Sequence, residues 1–514
     1  MLIKGLFLLI FFAIMLGVGI YCRKHATNVN DFVLGGRSVG PWLTAFAFGT
    51  SYFSAVIFVG YAGQFGWSFG VASTWIGIGN AIIGSLLAWV ILGRRTRVMT
   101  QHLSSATMPD FFGKRFMDKK LKIAASVIVF VFLIPYTASL YNGLSRLFAM
   151  AFNVDYAVCV IAMAVLTGVY VIAGGYMATA INDFIQGIIM LFGIVAVIAA
   201  VLTGNGGFSE ALVTLSEVDA GTGMQGAFVS FFGPQPLSLL FVVLLTSLGT
   251  WGLPQMVGKF YSIKNEKAIH TGTVVSTVFA LIVAGGCYFL GGFGRLYADV
   301  IEYGANGLPV YDSIVPSMLA TLPDMLIGVV IVLVLSASMS TLSSLVLTSA
   351  STLTLDFVNE LKKKKTEEKK TLLWIRVLIV FFIVISSVIA IVQAKSSVTF
   401  IAQLMGISWG ALAGAFLAPF LYGLYFKRTS KPAVWFTFVV SVVLMLANML
   451  FRSYFPALLQ SPINCGVIAM LIGLVAVPVI SLLTKAPDKD KVDEMFTCYE
   501  QTITVHVKNS LDDK

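Results

Sequence analysis

Six hydroxyls crowd into nine residues of this 514-residue chain, Ser336-Ala337-Ser338-Met339-Ser340-Thr341-Leu342-Ser343-Ser344. Ser340, Ser343 and Ser344 fall at i, i+3 and i+4, so on a helix they share one face. Hydroxyl and carbonyl oxygens are the neutral, hard ligands that a dehydrated Na+ accepts, much as oxygen cages hold other hard cations. The same residues would also glue one helix to another by hydrogen bonds, and the pattern alone leaves both readings open. A second chemical signal is Asp183, preceded by 27 uncharged residues and followed by 26. A carboxylate isolated in so long an apolar stretch is a candidate for handling ions or protons. It would equally serve as an N-cap, accepting from the free N–H groups of a helix that begins there.

Two further segments combine hydroxyls with residues that loosen a helix. The first is Phe48-Gly49-Thr50-Ser51-Tyr52-Phe53-Ser54, and the second is Thr246-Ser247-Leu248-Gly249-Thr250-Trp251-Gly252-Leu253-Pro254. Glycine weakens the local turn and Pro254 removes a backbone donor. Ser51, Ser54, Thr246 and Thr250 make these segments rich in donors. Broken helix ends free N–H groups that can meet a carboxylate.

The elements that position these residues are membrane spans. Only 11% of residues are charged and 58% are hydrophobic, against about 25% charged in a soluble domain. Mean hydropathy is +0.91. Uncharged stretches of about 20 residues suffice to cross the hydrocarbon core, and they predict an all-α membrane protein with 13 transmembrane helices. Arg23 and Lys24 follow the first span directly with no small-x-small cleavage pattern, so that span is expected to be retained, its N-terminus outside. This orientation puts 29 of the 34 basic residues on the cytoplasmic side, Lys259, Lys264 and Lys267 among them. The charged run from Lys362 to Lys370 reads as a cytoplasmic loop, while Lys395 falls outside. Arg146, at an outer helix end, either attracts an anion or snorkels to headgroups.

The two interrupted spans, second and seventh, run in opposite directions five spans apart. That is the signature of an inverted-repeat secondary transporter. The expected organisation is a peripheral helix over 1–22, a first repeat over 43–203 and a second over 237–424. Peripheral helices over 433–484 and a cytoplasmic tail over 485–514 complete it.

Other classes lack their chemistry. The basic residues sit in short breaks between apolar runs rather than on one face, which excludes nucleic acid. Five cysteines and four histidines are scattered without metal-ligand or disulfide spacing. No glycine-rich phosphate loop, repeated pore filter or clustered acid–base set points to a pump, a channel or an enzyme.

The segment Asp31-Phe32-Val33-Leu34-Gly35-Gly36-Arg37-Ser38-Val39-Gly40-Pro41 resembles the D-Y-x-L-G-G-R-S-x-G signature of the sodium/solute symporter family. Met108-Pro109-Asp110-Phe111-Phe112-Gly113-Lys114-Arg115-Phe116 resembles its L-P-D-Y-F-x-x-R-F loop. Gly174-Gly175-Tyr176 through Asn182-Asp183-Phe184-Ile185-Gln186-Gly187 is similar to its G-G-x…T-D-x-x-Q segment. The family includes proline, pantothenate, sialic-acid and glucose cotransporters. The resemblance implies a LeuT-like five-plus-five fold in the plasma membrane. It implies a Na+ site of Thr50, Phe53, Ala337, Ser340 and Thr341, and in some members a second Na+ at Asp183, Ser340, Ser343 and Ser344.

For the solute, the resemblance points to Ser51, Tyr52, Ser54, Tyr136, Thr246, Thr250 and Pro254. Proline transporters carry an acid where this chain has Tyr52, and Trp and Tyr where it has Thr246 and Thr250. The expectation is therefore a Na+-coupled importer of a small polar solute, an amino acid or organic carboxylate. A sugar or sialic acid, or proton coupling through Asp183, are the alternatives. A monomer is the working expectation, with an oligomer left open.

Overall fold

A computed structural model describes residues 2–152, 154–221, 223, 225–304, 307–362, 367–394 and 401–500. Lys395 and residues 363–366 of the Lys362–Lys370 run lie outside the described residues. The chain is helical throughout its membrane region. The principal helices are α1 (Leu2–Cys22), α2 (Pro41–Tyr52), α3 (Val56–His102), α4 (Met108–Arg115), α5 (Lys119–Phe152) and α6 (Tyr156–Gly204). There follow α7 (Pro236–Gly252), α8 (Pro254–Tyr261), α9 (Glu266–Gly291), α10 (Tyr311–Ala320) and α11 (Asp324–Thr352). The last are α12 (Glu368–Ala394), α13 (Ile401–Tyr425), α14 (Lys431–Phe451), α15 (Pro462–Leu483) and α16 (Lys489–Phe496). Among the described residues ten helices are long and apolar enough to cross a membrane, or eleven with the bent pair α7 and α8 counted as one.

That count is below the 13 expected, and two of the helices are unusually long. α3 and α6 run 47 and 49 residues, roughly 70 Å each at 1.5 Å per residue, more than twice the ~30 Å of a hydrocarbon core. Each contains a glycine in a conformation that side chains avoid: Gly70 at φ 63°, ψ −143° and Gly175 at φ 56°, ψ −147°. A β-carbon on Gly70 would sit 2.1 Å from the Phe228 carbonyl oxygen, and one on Gly175 would sit 2.8 Å from that of Phe32. The chain turns at these points because only glycine fits there.

Large apolar side chains such as Leu9, Phe192, Val380 and Val475 are exposed on outer helix faces, as a surface bathed in lipid requires. The hydroxyls go inward. α11 is the inner pillar: every residue from Val330 to Leu347 is buried, and it packs on α6 and α5. The tail forms the short helix α16, capped by Asp488.

The motifs around Arg37 and Asp110 are staples. Gly35, Gly36 and Arg37 all take positive φ, which swings the Arg37 guanidinium onto the carbonyl oxygens of Thr100, Ser105 and Tyr261. Burial lowers its pKa to about 10, assisted by nearby Arg97, so it stays charged at neutral pH. Asp110 in α4 meets Lys114 at 2.8 Å and Lys122 at 2.9 Å. Arg115 donates to the Gly423 carbonyl at 2.8 Å.

Candidate ion and solute site

Both expected interruptions are present. α2 stops at Tyr52; Phe53 is extended at φ −85°, ψ 126°, and the helix resumes after Ser54. α7 tightens into a 3-10 turn over Gly249–Gly252, and Leu253 is extended at φ −87°, ψ 119°. The axis there bends by 45°. Pro254 opens α8, where its missing donor costs nothing, so the break falls at Leu253.

The first break faces α11. Ser340 Oγ donates to the Thr50 carbonyl at 3.0 Å and to that of Ala337 at 3.0 Å. Thr341 Oγ1 reaches the carbonyls of Phe53 at 3.1 Å, Ala337 at 3.2 Å and Thr50 at 3.4 Å. The Thr50 hydroxyl is spent on Phe46, leaving Thr50 to offer its carbonyl. Three carbonyl and two hydroxyl oxygens thus converge from two elements, all on buried residues. They bring together the five residues of the first expected Na+ set.

Of the second set, Asp183 and Ser344 come together, through a member the sequence reading did not include. Asp183 is not an N-cap: it lies inside the continuous helix α6, fully buried, and the break in that helix is at Gly175. Lys259, counted above among the basic residues of the cytoplasmic side, is only 3% exposed. It forms an ion pair with Asp183 Oδ2 at 3.4 Å and donates to Ser344 Oγ at 3.0 Å. Ser344 in turn meets Ser51 Oγ at 2.8 Å, and Ser343 donates to the Ser340 carbonyl. Lys259 was grouped with Lys264 and Lys267 by charge. Its place six residues after the break at Leu253 is the signal that sets it apart.

The expected solute residues divide. Tyr52 and Tyr136 both pack on Trp409, ring centroids 5.7 and 5.9 Å apart. Among the described residues, the hydroxyls of Tyr52, Ser54 and Tyr136, the Trp409 indole N–H and the Tyr288 hydroxyl are buried and find no hydrogen-bond partner. Buried polar groups are rarely left so. Thr246 and Thr250 are already engaged, Thr246 with Val242 and Thr250 with Ser247 and Gly84. Tyr52 and Thr250 line one small cavity of about 10 Å³ with Asn80 and Ser276. Pro254 lines another, of about 50 Å³, with Lys259 and Ser344. Ser51 turns to Ser344 rather than to the tyrosines. Trp409, Tyr288 and Asn80 carried no sequence signal beyond being polar or aromatic within apolar runs.

Outside these sets, α10 carries Asp312. Its carboxylate accepts from the Ile401 N–H at 3.3 Å. Burial pushes its pKa up to about 6, opposed by Arg146 and by that bond.

A model of the sodium:solute symporter family matches residues 32–439. The chain is 28% identical over 486 residues to the osmoregulated proline transporter OpuE of Bacillus subtilis (strain 168), covering 93% of this chain and 94% of that one. It is 31% identical over 432 residues to a sodium/proline symporter of Staphylococcus aureus (strain JH9), covering 82% and 81%. A Na+-coupled sialic acid symporter in its substrate-bound, outward-open state superposes with a TM-score of 0.75 at 18% identity, over 95% of this chain and 99% of that one. The two chains share a fold.

Proposed function

The chain belongs to the sodium:solute symporter family, and from that premise we propose that it imports an amino acid or organic carboxylate by alternating access, drawing on the inward Na+ gradient. It is a multi-pass membrane transporter that uses sodium, not an enzyme. The observation that carries the proposal is the meeting of Thr50, Phe53, Ala337, Ser340 and Thr341 oxygens at the first break. An ion held there ties the loose end of α2 to the rigid α11, so Na+ binding and the shape of the solute cavity are linked. High external Na+ favours the bound state, and low cytoplasmic Na+ releases it.

In this reading the Tyr52, Ser54 and Tyr136 hydroxyls take the solute's polar groups, with Trp409 as the wall between the two rings. Ser51, Thr246, Thr250 and Pro254 shape the surrounding breaks. The acidic pocket of Asp183, Ser340, Ser343 and Ser344 is a second cation site. α3 and α6 each cross twice, turning at Gly70 and Gly175, which restores 13 crossings in the plasma membrane. The N-terminus is then outside and the tail cytoplasmic. Crossings two to six and seven to eleven form LeuT-like inverted repeats, and the protein works as a monomer.

The test is uptake into proteoliposomes of proline, other amino acids, carboxylates, sugars and sialic acid, with an imposed Na+ or K+ gradient. Accumulation of one solute class under Na+ alone is the expected result. Uptake indifferent to Na+ and driven by an imposed proton gradient would overturn the reading in favour of proton coupling.

A further inference from the structure

Lys259 reaches its pocket from α8, the half-helix after the second break, while Asp183 comes from α6 and Ser344 from α11. An ammonium has three protons, and the pocket supplies three partners. These are Asp183 Oδ2 at 3.4 Å, Ser344 Oγ at 3.0 Å and the face of the Tyr176 ring, 5.2 Å to its centroid. We propose that the Lys259 ammonium is the resident cation of this acidic pocket, holding the place of a second Na+, so that each solute is coupled to one Na+. This rests on the Na+-symport reading and specifies its stoichiometry.

The charge balance of the pocket supports one cation and no more. Asp183 is its single carboxylate, and the ammonium already pairs with it. A Na+ added beside Lys259 would meet a like charge away from water, where charge repulsion is weakly screened. Asp183 Oδ1 is buried and has no partner among the described residues, so the carboxylate keeps coordinating capacity that a compact ion could take up once the ammonium is gone. A lysine suits the role as a point charge on a flexible stem. The pocket is also wired to the first site, because Ser344 meets Ser51, the residue next to Thr50. The cavity of about 50 Å³ lined by Thr179, Pro254, Gly258, Lys259 and Ser344 gives the ammonium room to withdraw.

The experiment counts 22Na+ bound at saturation to the purified full-length protein in nanodiscs, alongside the Na+ dependence of uptake in proteoliposomes. Wild type is expected to bind one Na+ with a Hill coefficient of about 1. Lys259→Met should gain a second, roughly doubling the count and steepening the Na+ dependence. Lys259→Arg should stay at one, and Asp183→Asn in the Lys259→Met background should return to one. If the Met variant is not monodisperse, Lys259→Gln takes its place. A wild-type count of two, or a folded Lys259→Met protein that still binds one, overturns the inference while leaving Na+ symport standing. Wild type binding none overturns the Na+ assignment and this inference together.

Discussion

The Ser340 hydroxyl stands 3.0 Å from the Thr50 carbonyl oxygen across 290 residues of sequence. One partner belongs to an unbroken helix and the other to the last turn of a helix about to stop. The carbonyls near such a stop lack the amide partners they would have in a continuing helix, which is why the site sits at the break. Thr341→Ala removes one hydroxyl ligand and Ser340→Ala another. Each is expected to raise the half-saturating Na+ concentration about 10–100-fold, as loss of roughly 1.5–3 kcal/mol per charge-assisted contact implies. Thr341→Ser, which keeps the oxygen, should lie close to wild type in the same Na+ titration of uptake.

The partnerless polar atoms around Trp409 predict a separable effect on the solute. Trp409→Phe keeps the packing against Tyr52 and Tyr136 and removes the indole N–H. An increase in solute KM of about 10-fold, equivalent to one hydrogen bond, is expected with the Na+ titration nearly unchanged. Equal shifts in both parameters would place Trp409 in structural support of the ion site instead.

Gly175→Ala tests the turn inside α6. The substitution forces a β-carbon into a region of φ and ψ essentially reserved for glycine and against the Phe32 carbonyl oxygen, 2.8 Å away. A loss of about 3 kcal/mol or more is expected, read as a lower Tm in detergent. Gly5→Ala, with nothing within 4 Å, is the control and should leave Tm in place.

Much of this was legible in the sequence because it depends on local chemistry. The breaks at Phe53 and Leu253 were readable from clustered glycine, proline and hydroxyls in otherwise apolar runs. The Ser340–Thr341 face followed from helical spacing. The long helices were harder: a turn at Gly175 within α6 leaves no loop-like composition behind, so Asp183 looked like a helix start rather than a position inside a helix. The burial of Lys259 was not legible because counting cations sorts them by neighbours in sequence, whereas its burial is set by α6 and α11, which lie distant in the chain. Trp409 belongs to the same class, since its role arises from two tyrosines on other helices.

Asp312 predicts a pH dependence of stability. With its carboxyl at about 6 in the folded protein and about 3.9 when unfolded, the unfolded state ionises first. The folded protein therefore loses stability from this group as pH rises from about 4 to 6, and the loss levels off above. Between pH 5 and 7.5 the contribution is about 1–2 kcal/mol. Asp312→Asn lacks that slope, so its Tm relative to wild type should improve at pH 7.5 compared with pH 5. A Tm difference that does not change with pH would contradict the assignment.

The single extended residue Leu253 gives α8 the mechanics of a crank. The half-helix is eight residues long, about 12 Å at 1.5 Å per residue, and Lys259 rides near its free end. A swing of about 15° about Leu253 would displace the Lys259 headgroup by roughly 2 Å, enough to part it from Ser344 and Asp183. Arg37 grips the Tyr261 carbonyl at the last residue of the same arm, 3.2 Å away, so the crank is braced at its far end. Throwing it requires that brace to yield, and the Arg37 loop and the broken helix then act as one linkage rather than two independent motifs.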